Sequence, residues 1–137
     1  MHKSGNWHLT LIISDADPTN YMSFYKRATV FMALSRSRPA LTDLDRVIEL
    51  KPDFIQARVQ RGSILTKMGR LDEAHIELER VLARDPKNEE ATKLYVQIEP
   101  LQKSIQEIRD FVANKNFQPA LDRLTEVIEV RVYHDRI

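Results

Sequence analysis

YMSFYKRATVFMALSRSRPALTDLDRVIELKPDF, residues 21–54, written above IQARVQRGSILTKMGRLDEAHIELERVLARDPKN, residues 55–88, decides the fold. The two lines agree at Arg27/Arg61, Arg36/Arg70, Ala40/Ala74, Leu44/Leu78, Arg46/Arg80, Val47/Val81 and Pro52/Pro86. Seven identities in 34 positions exceed the roughly two that ordinary composition gives. Pro18, Pro52 and Pro86 keep the same spacing of 34, each after a charged residue at the end of an apolar-periodic segment, so they read as equivalent helix stops. A fixed period of this size is the mark of a repeat architecture.

Within each unit the apolar period is helical. Phe24, Ala28, Phe31 and Leu34 fall at i, i+4, i+7 and i+10, and Leu41, Leu44, Val47 and Ile48 resume the pattern after a short break. The second unit repeats it with Gly62, Leu65 and Met68, then Leu71, Ala74, Leu78, Val81 and Leu82. Each unit is therefore a helical hairpin. Gly69 suits a left-handed helix end, and the small residues Ala28, Gly62, Ala40 and Ala74 let neighbouring helices approach. A third unit is displaced: Ala120, Leu124 and Val127 match Ala40, Leu44 and Val47, and Pro119 matches Pro39 in the first turn of a second helix. Twelve extra residues separate it from the second unit. They fall in Asn88–Glu99, where an Asn88 cap, Glu89 and Glu90 predict a further helix that Pro100 should kink or break. The expected helices are 20–34, 38–50, 54–68, 72–84, 88–98, 101–114 and 118–130, with no strand.

The rest of the composition narrows function by exclusion. There are 21 basic and 20 acidic residues, a formal charge of +1, no cysteine and three glycines. Disulfides, thiolate nucleophiles and thiolate metal sites are ruled out, as are Gly-rich phosphate loops. No apolar run nears the roughly 18 residues of a membrane span, and His2 and Lys3 before Leu9–Ile13 make a poor signal peptide. His2, His8, His75 and His134 never fall at the i, i+4 spacing of a helical metal site. Asp43 with Asp45, and Glu77 with Glu79, point to different helix faces, so they read as solvated surface rather than paired acid-base groups. Arg36, Arg38 and Arg70 near the turns read as a solvated rim beside Asp43, Asp72 and Glu73, not a nucleic-acid patch. No catalytic residue, cofactor or metal is expected.

The pattern resembles tetratricopeptide repeats, whose 34-residue unit carries aromatic, small, aromatic, Ala, large apolar and Pro at the offsets filled by Phe24, Ala28, Phe31, Ala40, Leu44 and Pro52. Arg58 and Leu65 stand at the aromatic offsets of the second unit. The resemblance implies an all-α tetratricopeptide-repeat superhelix of stacked antiparallel helix pairs: a partial preceding repeat at 1–20, repeats at 21–54 and 55–88, an inserted helix at 89–100 and a third repeat at 101–134. FYKRATVFMALSRSRP (24–39), LDRVIEL (44–50), ARVQRGSILTKMGRLDEA (57–74) and LTEVIEV (124–130) look like the N-terminal repeats of the endoplasmic-reticulum J-domain co-chaperones, a resemblance covering about residues 15–133. It implies binding of misfolded polypeptide, delivery to a luminal heat-shock chaperone, restraint of stress kinases acting on translation initiation factor 2, and the endoplasmic-reticulum lumen; without a signal peptide the expectation is cytoplasmic. No His-Pro-Asp motif is present, and the start at Trp7–Ser14 reads as the second helix of a broken unit, so the expectation is a fragment or truncated variant.

By the family's geometry the concave, client-facing positions are Met22, Tyr25, Thr29, Met32 and Ala33 in unit one, Gln56, Val59, Ser63, Thr66 and Lys67 in unit two, and Gln102, Ile105, Arg109, Val112 and Ala113 in unit three. Met22, Tyr25, Thr29, Met32, Val59, Ser63 and Ile105 are the candidate binding residues, with Tyr25 and Met32 as anchors for apolar segments. The alternative is that Met22, Tyr25 and Met32 are covered by neighbouring helices. The family's carboxylate clamp for acidic chaperone tails needs Lys or Asn where Tyr25, Thr29 and Gln60 stand, and Lys and Arg where this register puts Gln102 and Gln106. Uncharged side chains cannot supply its charge-assisted bonds. The expectation is a non-enzymatic module binding unfolded polypeptide; a scaffold for a folded partner and a largely inactive variant are the alternatives.

Overall fold

The computed structural model describes residues 19–136, with side chains described through Glu129. The expected partial repeat at 1–20 falls almost wholly outside this range, as do Leu11 and Ile12 and the side chain of Val132. Six helices and no strand occur among the described residues: α1 (Tyr21–Ala33), α2 (Ser37–Leu50), α3 (Ile55–Lys67), α4 (Leu71–Arg84), α5 (Glu89–Ala113) and α6 (Phe117–Arg136).

Local chemistry sets the helix ends. The Asn20 side chain accepts from Met22 N–H at 3.0 Å, and that of Asn88 accepts from Ala91 N–H at 2.9 Å. Each satisfies one of the orphan donors of a first turn. Pro39 and Pro119 sit in the first turns of α2 and α6, where no amide donor is needed. The three hairpin turns share one geometry. Ser35, Gly69 and Lys115 adopt left-handed φ of 58, 77 and 60°. The next amide in each turn donates back across it: Arg36 to Phe31 O at 2.9 Å, Arg70 to Leu65 O at 2.9 Å, Asn116 to Phe111 O at 2.7 Å.

A Cβ at Gly69 would meet nothing within 4 Å, so Gly69→Ala isolates the conformational term. It should lower unfolding free energy by about 1 kcal/mol, and Ser35→Gly should raise it by about half that. Urea melts of the two variants showing equal and negligible shifts would contradict this turn assignment.

Seven helices were expected and six are found, because Pro100 does not interrupt α5. Proline removes one amide donor and leaves the Val96 carbonyl free. Val96 is 60% exposed, so water can take that carbonyl's bond and the helix continues. The consequence is arithmetic. α5 has 25 residues against 13 in each of α1 and α3, a difference equal to the 12-residue insertion. The extra segment is absorbed inside a first helix.

Packing divides the chain into a unit ending at Leu94 and one starting at Tyr95. In the first, α1 packs on α2, α2 on α3, and α3 on α4. Its core holds Ala28, Ala40, Leu44, Val47, Ala57, Val59, Leu65, Ala74, Leu78 and Val81, all fully buried. Each large apolar side chain buried this way contributes about 1.5–3 kcal/mol. In the second unit Ile98, Ser104 and Ala120 are buried, while Phe117, Leu121, Leu124 and Ile128 leave an exposed stripe along α6.

Polar groups supply a second set of joints. The pairs expected to be solvated split: Asp43 and Glu77 are buried, while Asp45 is half-exposed and Glu79 exposed. The Arg27 Nε and Nη2 donate to Asp43 at 2.7 and 2.6 Å. Glu77 accepts from Arg58 Nη1 at 2.8 Å and Arg61 Nη1 at 3.2 Å, and Arg61 Nε reaches Asp45 at 2.7 Å. The hydrogen bond to Asp43 holds the Arg27 guanidinium above its ordinary pKa. These carboxylates lie on the hairpin seam rather than in water because the guanidiniums neutralise them there. Arg58 also donates to Pro52 O at 3.0 Å. An aromatic is therefore unnecessary at its position: the arginine ties the loop to α4. At the turns Arg70 pairs with Glu73 at 2.7 Å and Arg36 and Arg38 are exposed, a rim as expected.

Candidate functional site

Met22, Tyr25, Thr29 and Met32 lie at i, i+3, i+7 and i+10 of α1, one side of the helix. Met22 and Thr29 are exposed; Tyr25 and Met32 are half-buried. Tyr25 is not a free anchor. Its ring meets Phe54 edge-on at 4.9 Å, and Tyr21 meets the same ring at 5.4 Å, so the three aromatics join the start of α1 to the start of α3. Burial and, after it, the charge of Glu90 raise the Tyr25 phenol above its ordinary pKa. The Thr29 hydroxyl donates to its own helix at Tyr25 O, 3.0 Å away.

The strip is shorter than expected. Val59 was placed on the concave face, but it is fully buried and has no surface to offer a ligand; it belongs to the α3 core with Ala57 and Leu65. Ser63 is half-buried on α3, and Ile105 is half-buried in the second unit.

Gln56, a concave position outside the seven candidates, and Glu90, which the sequence reading did not place there, complete the face. Gln56 Nε2 lies 3.4 Å from Glu90 Oε2, and Glu90 is within electrostatic reach of Tyr25. Met22, Gln56 and Glu90 are spaced by 34, so the period itself marks them once α5 is recognised as beginning in register. That register is visible in the loops: Phe54 N–H donates to Lys51 O and Asn88 N–H to Asp85 O, both at 3.1 Å, and Ala57 and Ala91 are both fully buried. Counting from Glu89, the clamp positions of the third unit hold Glu90 and Leu94 rather than Gln102 and Gln106. An acid thus stands where an acidic tail would need a lysine.

The arrangement offers surface rather than proton chemistry. Asp43 and Glu77, the buried carboxylates of the first unit, are each held by guanidinium groups. Among the described residues no three potential ligands gather for a metal, and no helix is long and apolar enough to cross a membrane.

The tetratricopeptide-repeat family model matches residues 36–98. DnaJ homolog subfamily C member 3 of Bos taurus is 41% identical over 122 residues, 87% of this chain and 24% of that protein. The chain is homologous to that co-chaperone's repeats. Its tetratricopeptide-repeat fold also matches the crystal structure of the P58(IPK) TPR domain, with a TM-score of 0.80 and 37% identity over 88% of this chain and 35% of that one. The tetratricopeptide repeat and J domain-containing co-chaperone DNJ1 of Cryptococcus neoformans is 33% identical over 85% of this chain and 22% of its own length. The first TPR of Spaghetti (RPAP3) bound to HSP90 peptide SRMEEVD is similar at a TM-score of 0.65 and 28% identity, covering 74% of this chain and 83% of that one. The chain spans about a quarter of the length of the curated relatives named here. A protein-binding repeat module follows from this kinship.

Proposed function

We propose that the α1 face of the first unit binds exposed apolar segments of unfolded polypeptide, as the client-holding part of a co-chaperone. The observation that carries this reading is the exposed Met22 beside half-buried Tyr25 and Met32 on a face without a cation set for an acidic tail. Unfolded chains display apolar segments that folded ones hide, so a shallow apolar strip selects by exposure. After ordering costs, burial of about 25 cal/mol per Å² leaves weak, promiscuous affinity. The setting implied by the resemblance belongs to the same proposal: the endoplasmic-reticulum lumen, hand-over to a luminal heat-shock chaperone and restraint of translation-factor kinases.

A second reading, capture of a chaperone's acidic tail, has the peptide-bound RPAP3 neighbour in its favour. Tyr25, Thr29, Gln60, Glu90 and Leu94 at the clamp positions argue against it. One experiment separates them. Met22→Asp/Thr29→Asp, both at exposed positions, should cut suppression of aggregation of a heat-unfolded client at least about threefold while the helical circular dichroism is unchanged. A peptide ending in EEVD should not compete. Full activity of the double variant would refute the strip, and competition by the peptide would favour the tail reading.

A further inference from the structure

The second and third hairpins close with a three-point polar contact, the first keeps one pair of it, and in the third the charges are exchanged. In unit two, Glu77 on the second helix accepts from Arg58 and Arg61 on the first. In unit three, the residue equivalent to Glu77 is Arg123. It lies 2.9 Å from Glu107 and donates to Ser104 Oγ at 3.1 Å, and those two residues are the equivalents of Arg61 and Arg58. Unit one has the polarity of unit two, with Arg27 on Asp43. Sixteen residues separate the partners in Arg27/Asp43, Arg61/Glu77 and Glu107/Arg123 alike. An acid on the second helix thus answers a base on the first in units one and two, and the reverse holds in unit three.

The second helices carry one repeated apolar pattern. Ala40, Ala74 and Ala120 are equivalent, as are Leu44, Leu78 and Leu124, and Val47, Val81 and Val127. The turns are also alike. A self-similar chain of this kind risks closing one helix on the wrong partner during folding. We propose that the exchanged polarity is a pairing address: it commits α5 and α6 to each other and rejects α2 or α4 against α5, and α1 or α3 against α6. The rejected pairings would set Glu107 against Asp43 or Glu77, and Arg123 against Arg27 or Arg61, like charges facing each other across the helix pair. Glu107–Arg123 is half-exposed and Arg123 also pairs with Glu126 at 2.7 Å, so the pair adds little net stability, yet charge complementarity can still fix which partner is chosen.

The absence of cysteine allows a clean test on the full chain. Spin labels on cysteines replacing exposed Lys103 and Thr125 report the α5–α6 distance after refolding from denaturant, with excess unlabelled chain to suppress intermolecular signals. The parent should give one narrow distance. Glu107→Arg/Arg123→Glu restores the pair in the common polarity, so its melting temperature should stay within about 2 °C of the parent, while Glu107→Arg alone should lose about 5 °C. After refolding, the double variant should show a second, longer distance in roughly a fifth or more of molecules, because its address now matches the other hairpins. Should it fold poorly, the neutral Glu107→Gln/Arg123→Gln variant, which erases the address, should broaden the distribution too. A single narrow distance in both double variants overturns the proposal, and so does a Glu107→Arg variant that melts like the parent.

Discussion

Glu77→Ala is expected to lower the free energy of unfolding by about 3 kcal/mol, whereas Glu79→Ala two residues away should change it by no more than about 0.5. The Glu77 carboxylate is 4% exposed and accepts from two guanidiniums that are themselves only 14 and 22% exposed. Its removal takes away both charged bonds and leaves Arg58 on a seam with only the Pro52 carbonyl, while Arg61 retains Asp45. Glu79 stands 54% exposed, where pairing is weak and screened. Urea titration of both variants checks the contrast. Equal small shifts would mean that the seam carboxylate is solvated after all.

Gly62→Val should cost about 1–3 kcal/mol and lower the melting temperature accordingly. A Cβ at residue 62 would lie 2.8 Å from Leu78 Cδ2 and 2.9 Å from its Cγ. Leu78 is fully buried, so its side chain cannot swing out into solvent, and the glycine is inside α3, where helix propensity alone would favour replacement. Even Gly62→Ala should therefore fail to give the gain expected of a helical glycine. Combining it with Leu78→Val should recover part of the loss, because the shorter side chain withdraws the clashing atoms. A Gly62→Ala variant more stable than the parent would show that α3 and α4 can part at little cost.

Much of this fold was legible because repetition multiplies weak signals. One helical period of four apolar residues is ambiguous, but Ala40/Ala74, Leu44/Leu78 and Val47/Val81 at a fixed 34 fix register as well as helicity, and the left-handed turn at Gly69 follows from composition. Pro100 misled because a proline's effect depends on whether water can reach the carbonyl it frees, and that is a tertiary property. Asp43 and Glu77 misled for a related reason: helix-face arithmetic places them away from Asp45 and Glu79, but does not say that Arg27 and Arg61 wait sixteen residues earlier. The clue was present in two arginines and two acids each 34 apart. Val59 shows the limit for the binding face. Position in a family scheme assigns it to the groove, whereas the packing around its neighbours Ala57 and Leu65 assigns it to the core.

The unbroken α5 carries a consequence for comparing such chains. Its Asn88 cap and Lys115 turn are both intact, so the insertion lies between these two landmarks and touches no loop. Twelve residues advance about 18 Å along a helix and return about a third of a turn off phase. An alignment that carries either count through the whole of the helix will therefore pair residues from the wrong side of it. Glu90 is read correctly by counting forward from Asn88 and Glu107 by counting back from Lys115, and the two counts cannot be merged into a single numbering. A ruler with a splice in the middle measures accurately only from its own ends.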